Sequence, residues 1–268
     1  MKVSNNFSNS LAAAISVAFL ASATQAANLI SHYRFDGNTN NSVVGAPNGT
    51  LVGDASLTND SAVGSGALML DGVGDYLNTT TAGLPQASGL YEGTIDLWFK
   101  AASGATLGNK QFLGNLNNND TTAILFGTNG AGGLQIFIRS ADNKVFQIRN
   151  AIGGNAFNID TTYADGNYHN IQFNWKIDSS GGSGSIKVDG SPLEIQTVLN
   201  SLTTSNPITP WEFVQPIGAR NNRGAIDHTW AGKIDNVRIF DGVIPEPGSL
   251  LLGLAGALSV LGCTRWKY

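Results

Sequence analysis

The chain contains four glutamates, Glu92, Glu194, Glu212 and Glu246, so carboxylate chemistry must draw mainly on aspartates. Hydrolysis of a glycosidic bond needs two facing carboxyl groups, about 5–5.5 Å apart when configuration is retained and further apart when it is inverted. The nearest approach in sequence is Glu92-Gly-Thr-Ile-Asp96. Positions i and i+4 share a strand face, but an extended strand holds them about 13 Å apart. Glu92 therefore reads as a strand-edge residue and Asp96 as a solvated residue on an outer face. Nucleophilic chemistry is no better served. No Gly-x-Ser-x-Gly occurs, and the single cysteine, Cys263, lies in a C-terminal apolar stretch. His32, His169 and His228 are scattered, without the three or four converging ligands that zinc needs. Calcium suits this residue set better than zinc does, since it takes oxygen ligands from aspartate, asparagine and backbone carbonyls. The chain is expected not to be an enzyme.

The elements that would position any site are short strands. YHNIQFNWKID puts Ile171, Phe173, Trp175 and Ile177 on one face and Asn170, Gln172, Asn174 and Lys176 on the other. One buried and one wet face is the signature of an antiparallel sheet. TIDLWFK repeats it, with Ile95, Leu97 and Phe99 against Asp96, Trp98 and Lys100, and LQIFIRS, KVFQIRN and GSIKVDG continue it. Trp175 shares the apolar phase and belongs to the core. Gly-Gly-Ser-Gly at 181–184 joins two strand patterns and reads as a hairpin loop. Many Gly, Asn, Thr and Ser residues with few charges favour turns over helices. The result is an all-β sandwich or barrel in one domain, over residues 27–243. No cluster of Lys and Arg could neutralise a phosphate backbone, which excludes nucleic acid as a partner.

The two ends read as addresses. Lys2 precedes an apolar run, Leu11 to Ala21, and the small residues to Ala26. That is the pattern of a secretory signal peptide over residues 1–26, in helical form, with cleavage expected after Ala26 and Ala23 as the second choice. From Gly248 to Gly262 the chain is again apolar or small, and Arg265 and Lys267 close it. A hydrophobic helix followed by cations fits a stop-transfer segment. With Pro245, Glu246 and Pro247 before it, residues 244–268 resemble the PEP-CTERM sorting tail of Gram-negative bacteria. That resemblance implies an exosortase-type processing enzyme as partner, transient anchoring in the inner membrane through the transmembrane helix, and delivery to the cell surface or to an extracellular, biofilm-like matrix. The prolines keep the motif extended and reachable. Residues 27–247 keep all 19 acids and lose Lys2, Arg265 and Lys267 from the 15 cations, leaving a net charge of −7.

A second resemblance spans nearly the whole span between the signals. HYRFDGNTNNS, NGTLVGDAS, ALMLDGVGDYLNT, GTIDLWFKA, DGNYHNIQFNWK with SIKVDGSPL, IGARNNRG and WAGKIDNVRIFDGVI follow one another. In that order they resemble the laminin-G-like domains of the concanavalin A-like lectin/glucanase superfamily. The resemblance implies a jelly roll of two antiparallel sheets, with first and last strands adjacent. It implies a structural calcium held by Asp36 and Asp235, with Asp71 and Asp75 as second choices, and a structural His169. The glucanases of the superfamily carry Glu-x-Asp-x-Glu, which is absent here. Sugar contacts are expected at Trp98, Arg220, Asn221 and Asn222, with Trp230 on the same rim. The function expected is binding of extracellular polysaccharide or a matrix protein, the alternatives being a structural matrix protein without specific ligand or a glycan-active hydrolase.

Overall fold

The computed structural model describes residues 27–79, 91–116, 123–130, 132–150, 162–208 and 215–244. The expected signal peptide and the Pro245-Glu246-Pro247 motif with its apolar tail lie outside the described residues. Apart from a short helical piece at Thr162 and Tyr163, the regular structure described is all β. No helix among the described residues is long and apolar enough to cross a membrane.

Two sheets face each other as a sandwich. The first runs β13 (Ser191–Pro192), β12 (Gly181–Val188), β11 (Tyr168–Asp178), β6 (Glu92–Lys100), β18 (Ala231–Phe240), β4 (Ala67–Asp71) and β3 (Ser56–Thr58), with β1 (Leu29–Tyr33) also paired to β18. The second runs β14 (Ile195–Asn200), β10 (Val145–Asn150), β9 (Leu134–Arg139), β8 (Ala123–Thr128), β7 (Gln111–Leu116), β15 (Pro216–Ile217), β5 (Tyr76–Asn78) and β2 (Thr50–Val52). A hairpin of β16 (Arg220–Asn222) and β17 (Ala225–Asp227) joins this second sheet, β16 lying parallel to β7. The other pairings given are antiparallel, as in a jelly roll. First and last strands are neighbours, with His32 opposite Arg238 and Tyr33 opposite Val237.

The core follows from the alternation. Ile171, Phe173, Trp175 and Ile177 of β11 and Ile95, Leu97 and Phe99 of β6 are buried from one sheet. Ile124, Phe126, Ile136, Ile138, Phe146 and Ile148 meet them from the other. Phe126 lies 5.0 Å, ring centroid to centroid, from Trp175. The Gly-Gly-Ser-Gly stretch is not a loop but the first half of β12. A Cβ on Gly182 would stand 2.2 Å from Phe146 Cδ2. The missing side chain is what lets the opposing sheet close over this strand, so the glycines mark close packing rather than a turn.

His169 pins two loops. Its Nδ1 is 2.8 Å from Asp189 Oδ2, in the β12–β13 turn, and its Nε2 is 3.1 Å from Asp165 Oδ1. The ring packs on Phe99 and Tyr163. Burial pulls the imidazole pKa down, but the two carboxylates outweigh it and hold it above the ordinary 6.5. A histidine raised in the folded state contributes its full stability below the unfolded pKa and loses it as pH rises through the folded one. The melting temperature should therefore decline above about pH 6.5, and His169→Gln should flatten that decline. An unchanged profile in the variant would mean that the bridge carries no linkage.

Candidate functional site

The outer face of the ten-stranded sheet is built by the outward phase of the strands whose inward phase makes the core. Because Ile136 and Ile138 point in, Gln135, Phe137 and Arg139 point out. The same alternation turns Leu125 out of β8, and Gln147 and Arg149 out of β10. The register then lines residues up across the sheet. Arg220 stands beside Gly114, Gly114 opposite Leu125, Leu125 opposite Phe137, Phe137 opposite Gln147, and Gln147 opposite Leu199. One row further along, Gln135 faces Arg149. Phe137 is half-buried on this face, with the Arg139 guanidinium 6.0 Å from its ring centroid. Gln147 donates from Nε2 to Gln135 Oε1 at 3.1 Å. An aromatic ring therefore sits among amide groups that both donate and accept. Phe137, Gln135, Gln147 and Arg149 were not singled out in the sequence. The signal was present in LQIFIRS, where one aromatic residue occupies the otherwise polar outward phase.

At one end of the row stands an ordered polar cluster. Arg220 Nε and Nη2 donate to Asp227 Oδ1 and Oδ2, both at 2.7 Å. Asn222 Nδ2 donates to Oδ2 at 2.9 Å, and His228 Nδ1 lies 2.8 Å from Oδ1. His228 in turn contacts the Asn109 amide. Burial would raise the Asp227 pKa, but the hydrogen bonds from Arg220, Asn222 and His228 bring it to about 2. The carboxylate is thus ionised across the working range and its planar bidentate pair is fixed in direction. Gly114 makes room for it, since a Cβ there would lie 3.2 Å from Arg220 Cβ. From β16 to β9 is three strand spacings, about 14 Å, so the row between Arg220 and Phe137 is long enough for an oligomer rather than a single small molecule.

The sequence-derived ligand residues fall on two different sheets. Arg220 and Asn222 belong to this cluster. Asn221 is buried and its Oδ1 accepts the Gly224 N–H at 2.8 Å, which shapes the hairpin turn. Trp98 is partly exposed on the outer face of the eight-stranded sheet, opposite Asn170 and Asp235. It does not join the others in one site. Trp230, expected on a rim, is fully buried, its ring 4.4 Å from Phe112. Asp96, expected to be solvated, is 5% exposed. Arg238 Nη2, Asn170 Nδ2 and Gln172 Nε2 donate to it at 2.9, 3.2 and 3.4 Å, so long polar side chains of the flanking strands close over the carboxylate. Glu92 is exposed and pairs with Lys176 at 3.4 Å.

Among the metal candidates, Asp36 and Asp235 both hold the loop at residues 62–65. Asp235 Oδ2 accepts the N–H groups of Ala62 and Val63, each at 2.9 Å, and Asp36 Oδ1 accepts the Ser65 N–H at 2.6 Å. Asp36 Oδ2 is 3.3 Å from Arg34 Nε. Asp235 is fully buried and its Oδ1 has no hydrogen-bond partner. Burial raises its pKa, and the Asp36 charge pushes the same way against the loop amides. A buried carboxylate oxygen without a donor, facing a second carboxylate's field, fits a hard cation with oxygen ligands. Asp71 and Asp75 are brought together with Asp54, which the sequence did not single out. Asp75 already accepts the Asp71 N–H at 2.6 Å and the Gly72 N–H at 3.2 Å, and Asp71 accepts the Val73 N–H at 2.7 Å. These acids work as turn formers.

A laminin G family model, described as the concanavalin A-like lectin/glucanases superfamily, matches residues 70–247. No curated protein matches the chain by sequence. Solved structures do match by fold. Domain 4 of the extracellular arabinanase of Geobacillus stearothermophilus, solved with arabinotriose, aligns at a TM-score of 0.57 and 16% identity over 82% of this chain and 96% of that one. The binding domain of botulinum neurotoxin serotype D aligns at 0.54 and 10% identity over 81% of this chain and 49% of that one.

Proposed function

The chain belongs to the laminin G branch of the concanavalin A-like lectin/glucanases superfamily, and from there we propose that it is an exported protein that binds polysaccharide without cleaving it. The observation that carries this reading is the row on the outer face of the ten-stranded sheet. Phe137 offers a ring to the C–H face of a sugar, while Gln147 and Arg149 offer hydrogen bonds to its hydroxyls and the buried Gln135 holds the Gln147 amide in place. The fixed Arg220–Asp227 pair closes the row. That a domain of the same fold was solved with arabinotriose supports a glycan as the ligand class. Asp36 and Asp235 would hold a calcium that fastens the loop at residues 62–65, a structural role away from the sugar row. Cleavage is disfavoured because Glu92 and Asp96 are committed to Lys176 and Arg238. The Pro245-Glu246-Pro247 tail supports sorting to the cell surface or matrix through an exosortase-type enzyme.

The test is binding of the purified chain to the producing organism's own exopolysaccharide. Saturable binding without release of reducing ends is expected. Absence of binding would leave a structural matrix protein, and release of reducing ends would make it a hydrolase.

A further inference from the structure

The ten-stranded sheet has a charge opposite in sign to that of the whole chain. Its strands contain Arg139, Arg149, Arg220 and Asp227 and no other charged residue. That is a net charge of +2 within a chain whose net charge is −4. Asp227 is spent on Arg220, so the excess lies with Arg139 and Arg149, on either side of Phe137. The charged groups beyond the strand ends do not reverse it. In the β9–β10 turn Lys144 stands against Asp142, whose oxygens accept from Ser140 Oγ and Asn206 Nδ2. Glu194, just before β14, is exposed and makes no ion pair among the described residues. The acids Asp54, Asp71 and Asp75 gather near β2 and β5, at the far edge of the sheet. From β10 to β5 is five strand spacings, about 24 Å.

Arg149 is partly buried on β10, and its side chain makes no hydrogen bond or ion pair among the described residues. The register explains why. Gln135 stands directly opposite it, but Gln135 Oε1 already accepts from Gln147 Nε2 at 3.1 Å. Gln196, on its other side, is exposed and adds no charge. A guanidinium carries five N–H donors in a planar fork, and the fold uses none of these. Phe137 faces Gln147, two residues before Arg149 on the same face. It is therefore the diagonal neighbour of Arg149, at about 7–8 Å between backbones. A sugar ring laid on Phe137 would hold its exocyclic group within reach of the fork.

We propose that the row around Phe137 selects a glycan whose sugars carry an oxyanion, a uronate carboxylate or a sulfate ester, and that Arg149 is the residue that selects it. The anion of the sugar stacked on Phe137 meets the guanidinium, where two parallel N–H groups match two oxygens. A hydroxyl in the same place brings no charge and only one oxygen. Hydrogen bonds to an ionised group are roughly twice as strong as those between neutral ones, so the charged sugar gains over its neutral counterpart. The acidity of the rest of the chain opposes it only at long range, where salt screens beyond about 8 Å. This inference rests on the glycan-binding reading of the same row and names the ligand class within it.

The experiment is isothermal titration of the full chain with the producing organism's exopolysaccharide in three forms: native, carboxyl-reduced and desulfated. One of the two treatments should weaken binding to the parent protein about tenfold, as expected for losing one hydrogen-bonded charge contact, and which one does so names the anion. Arg149→Gln should bind the native polymer about tenfold more weakly than the parent does, and should lose nothing further when the polymer is neutralised. Arg149→Lys, which keeps the charge but not the fork, should recover part of the loss. Because the Arg149 side chain has no partner in the fold, both variants should keep the parent's melting temperature. Equal affinity of the parent for all three polymers overturns the proposal, and so does native-polymer binding by Arg149→Gln at the parent's affinity. Equal affinity for all three that is lost in Phe137→Ala sinks this inference alone and leaves the row as a site for neutral sugars. No binding of the native polymer sinks the glycan reading, and this inference with it.

Discussion

Phe137→Ala should weaken binding to the exopolysaccharide by about ten- to a hundredfold. Covering a phenylalanine side chain contributes about 1.5–3 kcal/mol, and each 1.4 kcal/mol is a factor of ten. The ring is already half-buried in the free protein, which places the expectation toward the lower end of that range. Its neighbours cannot substitute for it. Leu125 on one side has no ring to stack, and Gln147 on the other contributes amide groups only. Stability should change little, because the inward residues Ile136 and Ile138 that anchor β9 remain. Phe137→Leu keeps apolar area but removes the flat π face, so it should recover only part of the loss. Affinity measured by isothermal titration for the three proteins decides the matter. If Phe137→Ala binds like the parent, the site is elsewhere, and the Trp98 side of the eight-stranded sheet becomes the next place to look.

Why the sequence led to Trp98 and not to Phe137 has a physical reason. Alternation tells which residues of a strand share a face, and it worked for β11 and β6, whose core residues are those expected. It does not tell which sheet a strand enters, because sheet membership is set by pairing between distant segments. Trp98 and Arg220 were both expected to touch the sugar, yet β6 lies in one sheet and β16 pairs with β7 in the other. Asp96 was misjudged for a related reason. Its exposure depends on Arg238, 142 positions away, and no local pattern records such a neighbour. Gly182 was misread because a glycine in a strand and a glycine in a turn look alike until the residue opposite is known, here Phe146 from the other sheet. The pairing of first and last strands was legible only through the order of motifs. It then brought out something no motif contains, a loop at residues 62–65 tied down by aspartates from both ends of the domain.

That loop makes Asp235 the residue whose replacement should cost the fold most outside the apolar core. Asp235→Ala removes the acceptor of two part-buried loop amides, which water can partly reach. The cost therefore matches that of one buried donor left alone, about 1–3 kcal/mol, read from chemical denaturation. Asp235→Asn separates the two roles of the carboxylate. It retains an oxygen for the loop amides but gives up the charge that a cation needs. In chelator, Asp235→Asn should therefore be at least as stable as the parent, because the parent keeps a buried carboxylate whose pKa burial has raised. An acid raised in the folded state binds protons more tightly there than in the unfolded chain, so its contribution to stability falls as pH rises through the window above the unfolded value of 3.8. The chelated parent should accordingly gain stability from this group as pH is lowered from neutral toward that window. The opposite loss, from carboxylates held low such as Asp36 and Asp227, begins only as pH falls below their unfolded value. Calcium should raise the melting temperature of the parent at neutral pH and remove its gain on acidification. It should leave Asp235→Asn unmoved. Equal calcium responses in the parent and in Asp235→Asn would show that the ion binds elsewhere, with the Asp54, Asp71 and Asp75 cluster then the group to test. No response in either protein would mean that the orphaned Oδ1 is a cost the fold bears without a metal, with Asp235 kept for its hold on the loop amides alone.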